Sequence, residues 1–169
     1  MSSELKCKTR RILLKISGEA LSGDNGFGID PSVLSNTAKA IRAVQNEGVQ
    51  TVLVIGGGNI FRGAALQKAG FDRVTGDQMG MLATIMNGLA MREELKAQGG
   101  KCVLMSAYGV PSISTQYSAT LGREILDSGS SLIVAGGTGN PDYFGRKSGV
   151  RQAHEASQGF QTGKGTGFG

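Results

Sequence analysis

Apolar residues fall in short blocks along this chain, and glycines or small polar residues close each block. Arg11-Ile12-Leu13-Leu14-Lys15-Ile16 stops at Ser17-Gly18 and predicts a buried strand. Gln50 to Ile55 predicts a second. Its core, Val52-Leu53-Val54-Ile55, is apolar on both faces, as in a parallel sheet covered by helices. Lys101 to Met105, introduced by Gly99-Gly100, and Leu132 to Ala135 predict two more strands.

Helical spacing fills the intervals. Asp30-Pro31 is a helix start, with aspartate as N-cap and proline at the first helical position. Val33, Leu34, Ala38, Ile41 and Val44 follow at helical intervals, and Gly48 is the expected stop. Asn59 to Lys68 reads as helical. Asp77 is expected to cap a longer helix reaching about Gln98, with Met79, Leu82, Ile85, Met86 and Leu89 as its core-facing stripe. Tyr117 to Asp127 predicts a further helix. Strands alternating with helices predict an α/β fold with a mainly parallel sheet flanked by helices.

Three regions are expected: a polar extension over residues 1–10, a folded region over 11–141 and an atypical tail over 142–169. The tail holds seven glycines and no aliphatic run, so it is expected to be flexible.

Composition narrows the class. A chain of 169 residues, 39% hydrophobic and 18% charged, is long enough to bury a core and is neither disordered nor membrane-like in character. No apolar stretch of about eighteen residues is present to span a membrane, and Met1 to Arg11 lacks a signal-peptide core, so a cytoplasmic location is expected. Cys7, Cys102 and His154 have no metal-ligand spacing and form no disulfide framework.

The net charge of +5 comes from the two ends. The first eleven residues hold four basic residues against Glu4. Residues 141–169 hold Arg146, Lys147, Arg151 and Lys164 against Asp142 and Glu155, which leaves ten of each sign in between. With aromatic residues at only 5%, nucleic acid is not an expected partner.

The 28 glycines change the picture most. Lys15-Ile16-Ser17-Gly18, Gly56-Gly57-Gly58-Asn59 and Gly136-Gly137-Thr138-Gly139-Asn140 each follow an apolar strand. Ligands of open parallel sheets sit outside the carboxyl ends of the strands, and glycines there let backbone N–H groups approach an anion. Lys15 and Arg62 flank these loops and are candidate charge stabilisers for phosphoryl transfer, although alone each reads as a solvated cation. The familiar phosphate motifs are absent. Gly159 to Lys164 is one residue short of a P-loop and is followed by Gly165 in place of a hydroxyl residue. Phe61 stands where a dinucleotide fingerprint needs its last glycine. Asp77 reads equally as an N-cap and as an acceptor for a ribose.

Several segments together resemble the bacterial uridylate kinase family: Arg11 to Gly18, Glu19-Ala20-Leu21, Gly26 to Asp30, Val54 to Gly63, Gly76 to Met91, Leu104 to Ala107 and Gly137 to Pro141. The resemblance implies an amino-acid-kinase fold and transfer of the ATP γ-phosphoryl group to UMP, giving UDP and ADP in pyrimidine nucleotide synthesis. It also implies Mg²⁺ with the ATP, a cytoplasmic homohexamer, GTP as activator and UTP as inhibitor. By this resemblance Lys15, Ile16, Ser17, Gly18, Gly58 and Arg62 meet ATP, with Lys15 and Arg62 catalytic. Gly57, Asp77, Thr138, Gly139, Asn140 and Pro141 meet UMP. Gly23, Asp24, Asn25, Gly26, Phe27 and Gly28 form the segment linked with GTP.

The likeness breaks after Pro141. Asp142-Tyr143-Phe144-Gly145-Arg146 stand where the family carries an aromatic pair, two threonines and an aspartate. The C-terminal lobe that holds adenine and ribose is expected to be missing, through a truncation or a reading-frame error. A marginally stable chain with an unpaired sheet edge follows from that expectation. The alternatives are a non-catalytic UMP-binding fragment and another phosphotransferase of the same fold, acting on carbamate or an acylated glutamate. The segments Phe61-Arg62-Gly63 and Met79 to Thr84 argue against the last.

Overall fold

In a computed structural model of the chain, residues 11–61 and 67–137 are described. Strand β1 (Arg11–Ile16) leads through two single 3₁₀ turns (Glu19–Leu21 and Gly23–Asn25) to helix α1 (Pro31–Asn46) and strand β2 (Gln50–Ile55). Helix α2 (Arg73–Ala97), strands β3 (Cys102–Ser106) and β4 (Thr115–Gln116), helix α3 (Ala119–Asp127) and strand β5 (Ser131–Ala135) follow. The sheet order is β1-β2-β5-β3-β4, and every pairing is parallel. This is the expected α/β architecture.

Alternation along the strands divides the core into two layers. Leu53 and Ile55 of β2, Leu104 of β3 and Ile133 and Ala135 of β5 pack with Leu34, Ala38 and Ile41 of α1 and Ile85, Met91 and Leu95 of α2. Their neighbours Val52, Val54, Met105, Leu132 and Val134 face the opposite way and pack with Leu126 of α3. Both faces of the central strands are therefore buried, which is why they read as unbroken apolar runs.

Helix α1 starts as its sequence dictates. The Asp30 carboxylate accepts hydrogen bonds from Ser32 N (2.8 Å) and Val33 N (3.1 Å), and Pro31 occupies the first turn.

Helix α2 departs from expectation in two ways. It begins at Arg73, and its cap is Asp72, whose carboxylate accepts from Val74 N (3.0 Å) and Thr75 N (3.3 Å). Asp77 is thus inside the helix and caps nothing. The apolar stripe is also misplaced. Ile85 is buried, but Leu82 and Met86 are 54% and 53% exposed. The buried face is built from small and polar residues instead: Gly76, Gly80, Ala83, Thr84, Asn87 and Gly88 beside Met81, Ile85, Met91 and Leu95.

Smaller differences follow from local chemistry. Gly57 to Phe61 is a turn in which Ile60 N and Phe61 N donate to Gly57 O, so the helix expected over Asn59 to Lys68 does not start at Asn59; residues 62–66 lie outside the described residues, and Gln67 and Lys68 are helical. Helix α3 starts at Ala119 because Ser118 caps it, its hydroxyl accepting from Leu121 N. Strand β4 was not expected. It is two polar, exposed residues long and leaves no hydrophobic signal.

Candidate functional site

Register brings three strand ends together. Ile16 of β1 lies beside Ile55 of β2, and Val54 of β2 lies beside Val134 of β5. The segments Ser17-Gly18, Gly56-Gly57-Gly58-Asn59 and Gly136-Gly137 therefore leave the sheet at one edge. The first two nest directly. Gly56 N donates to Ile16 O (2.9 Å). A β-carbon on Gly18 would lie 2.5 Å from Gly58 N and 2.6 Å from Asn59 Oδ1, so only glycine fits there.

The triple-glycine loop rests on the middle of α2. A β-carbon on Gly57 would meet Ala83 Cβ at 2.8 Å, Gly80 O at 2.9 Å and Thr84 N at 3.1 Å. The β5 loop is held from the same helix, because Gly136 N donates to Thr84 Oγ1 at 2.7 Å. The small residues that displaced the expected stripe thus let two strand-end loops close onto α2.

Backbone donors remain at this edge. Among the described residues the N–H groups of Gly18, Gly57 and Gly58 have no backbone acceptor. Gly18 is buried, and a buried amide needs a partner. Three such donors from two strand ends form a candidate anion cradle, with the Glu19 carboxylate lying against Gly58 at its margin.

The other residues singled out in the sequence fall around this cradle. Lys15 is exposed near the carboxyl end of strand β1, paired in register with Val54, and Ile16 and Ser17 follow it. Ser17 Oγ accepts from Ala20 N (3.3 Å). Asp77 precedes Gly80 by three residues and Thr84 by seven, so it shares their face of α2 one turn nearer the N-terminus. Its side chain is 16% exposed, with Arg73 Nε 3.9 Å away. Of the segment Gly23 to Gly28, Gly23–Asn25 forms a 3₁₀ turn and Phe27 is exposed. Gly28 N donates to Asn59 O (2.8 Å), which ties this segment to the triple-glycine loop. Arg62, Thr138, Gly139, Asn140 and Pro141 lie outside the described residues.

Sequence reasoning missed three polar residues. Asn59, Thr84 and Asn87 are all buried. Asn59 Nδ2 donates to Gly28 O (2.7 Å) and Asn87 Oδ1 (3.1 Å). Asn87 Nδ2 donates to Gly56 O (2.7 Å) and Asn59 Oδ1 (2.7 Å). The signal for Thr84 and Asn87 is two polar residues three apart, between Gly80 and Gly88, inside an otherwise apolar helical window, whereas Asn59 follows the triple glycine directly.

Elsewhere the titration shifts are structural. Burial pushes the Cys102 thiol up to about 12. The Val33 and Ser32 amides hold the Asp30 carboxyl below its ordinary value. Hydrogen bonds from Arg92 and then Lys96 do the same for Glu93. No group of three or more His, Cys, Asp or Glu side chains gathers among the described residues.

Fold and loops together define a parallel α/β protein with a glycine-built cradle at the carboxyl edge of its sheet. The sequence profile of the amino acid kinase family matches residues 10–149, and the chain belongs to that family. It is 54% identical over 136 residues to the uridylate kinase of Saccharophagus degradans, covering 80% of this chain and 55% of that one. It is 52% identical over 143 residues to the uridylate kinase of Colwellia psychrerythraea, covering 85% and 58%. Among solved structures, the UMP kinase from Bacillus anthracis superposes with a TM-score of 0.78 at 32% identity, covering 88% of this chain and 61% of that one. The UMP kinase from Ureaplasma parvum gives 0.81 at 30% identity, covering 89% and 63%. The chain spans between half and two thirds of the length of these relatives.

Proposed function

We propose that this chain belongs to a UMP kinase, transferring the γ-phosphoryl group of ATP to UMP. The observation that carries this reading is the set of N–H groups on Gly18, Gly57 and Gly58 at one sheet edge, with no backbone acceptor among the described residues. Phosphoryl transfer asks little covalent chemistry of the protein. It needs phosphates held in line and their growing charge neutralised.

The cradle fits that task. Gly18 and Gly58, with Lys15, Ile16 and Ser17 beside them, would hold the phosphates of ATP. Gly57 and Asp77 would hold UMP, the first through its N–H and the second as an acceptor for hydroxyl groups. Thr138, Gly139, Asn140 and Pro141 would continue the UMP loop from the end of β5. Lys15 and Arg62 would neutralise the transferred group. Mg²⁺ would arrive on the phosphate oxygens of ATP and supply further charge neutralisation.

Regulation and assembly belong to the same reading. The segment Gly23 to Gly28 would respond to GTP, with UTP opposing it. Val74, Leu82 and Met86 are exposed apolar residues on α2, surface that assembly into a homohexamer would be able to cover. The cytoplasm would supply all of these nucleotides.

A coupled assay of ADP release tests the reaction, with UMP, CMP and AMP as acceptors. UMP alone should support turnover, and equal rates with all three would refute the assignment. The partial coverage of the relatives favours one second reading, a UMP-binding unit without turnover. Calorimetric binding of UMP with no ADP release would select it.

A further inference from the structure

We propose that Asn87 is a positioning residue, which aims the Gly57 N–H at the ligand by anchoring the carbonyl of the same peptide unit. The proposal rests on the reading of Gly57 as a phosphate-side donor and adds the residue that orients it.

A peptide unit is planar, and in the trans form its C=O and N–H point in opposite directions. Gly56 O belongs to the same unit as Gly57 N. That carbonyl accepts from Asn87 Nδ2 at 2.7 Å, deep against α2. The Gly57 N–H must then point the other way, out from α2, and it has no backbone acceptor among the described residues. A peptide between two glycines has no β-carbon to oppose its rotation, so without the anchor the plane is free to turn.

Asn87 is itself held. Its amide and that of Asn59 form a reciprocal pair, each donating to the other's oxygen. The second hydrogen of each amide goes to a carbonyl, Gly56 O for Asn87 and Gly28 O for Asn59. Carbonyls only accept, so neither amide can be reversed without losing a bond. Both side chains are buried, 0% exposed for Asn87 and 1% for Asn59. The pair therefore divides its labour: Asn87 sets the triple-glycine loop, and Asn59 ties that loop to Gly28.

Two isosteric variants separate orientation from packing. Asn87→Asp removes the donors to Gly56 O and to Asn59 Oδ1. Asn59→Asp buries the same new carboxyl but leaves the Asn87 bond to Gly56 O in place. UMP affinity, measured by calorimetry at neutral pH, should fall about tenfold or more in Asn87→Asp and less than about threefold in Asn59→Asp. Lowering the pH should restore affinity in Asn87→Asp, because the protonated acid can donate to Gly56 O again. Equal losses in both variants, or no recovery at low pH, would overturn the proposal. Amide NMR of the ligand-free protein decides the matter even if the wild type binds no UMP, an outcome that would sink the kinase reading alone. The Gly57 resonance should shift and broaden in Asn87→Asp but stay in place in Asn59→Asp. An unmoved Gly57 resonance in Asn87→Asp contradicts the anchor.

Discussion

The hydroxyl of Thr84 accepts from Gly136 N at 2.7 Å while donating to Met81 O at the same distance. One side chain thus joins the middle of α2 to the loop that leaves β5. Gly136 is buried, and its φ of 79° suits glycine alone. Thr84→Val keeps the shape but leaves a buried N–H unpaired, so it should cost about 1–3 kcal/mol in urea unfolding. Thr84→Ser retains the acceptor and should recover most of that loss. A serine variant as unstable as the valine one would show that the methyl, and not the hydroxyl, matters.

Two glycines of α2 should respond oppositely to the same change. At Gly88 a β-carbon would stand 2.7 Å from Leu104 Cδ1 and 3.3 Å from Ile133 Cγ2, inside the packed layer. Gly88→Ala should destabilise the chain by about 1–2 kcal/mol through overpacking. At Gly76 nothing lies within 4 Å of a β-carbon. Gly76→Ala should stabilise by about 0.5–1 kcal/mol by restricting the unfolded chain. Chemical denaturation of both variants against the wild type reads the two signs.

Much of this architecture was legible in the residues, and the failures share a cause. Strands β1, β2, β3 and β5 were read because burial on both faces makes apolar runs with glycine at their ends. Asp30-Pro31 was read because capping is local chemistry. Asp72 and Asp77 compete for the start of α2 within one short window. The true first turn carries Val74, Thr75 and Gly76, all weak helix formers, so the pattern favoured the later aspartate. The sequence pattern points Leu82 and Met86 inward because hydrophobicity ordinarily marks the buried face of a helix. That face instead needs small side chains, since two glycine loops press against it. Asn59, Thr84 and Asn87 escaped for the converse reason: buried polar groups look like surface until their partners are known.

The Cys102 thiol should be chemically silent. It is buried, and its ionisation is pushed up to about 12, so almost none is thiolate near neutrality. Iodoacetamide at about pH 8, with peptide mass spectrometry, should leave Cys102 unmodified in the native chain and label it in denaturant. Rapid labelling without denaturant would contradict the packing of β3 against α2.

Acid should loosen the start of α1. The Val33 and Ser32 amides hold the Asp30 carboxyl below its ordinary value in the folded chain. A group depressed in this way contributes stability above its unfolded pKa of about 4 and loses it as the pH falls through the folded value. Asp30→Asn keeps an oxygen acceptor at the cap but cannot titrate. Its melting temperature should therefore fall less steeply than that of the wild type between about pH 5 and pH 2. Parallel curves would remove Asp30 from the acid response.

The cradle itself is best tested by a crystal structure of the chain with UMP and a non-hydrolysable ATP analogue. Phosphate oxygens should lie within hydrogen-bonding distance of the N–H groups of Gly18, Gly57 and Gly58, beside Lys15. Phosphates bound at any other part of the molecule, with those three amides facing solvent, would contradict the account.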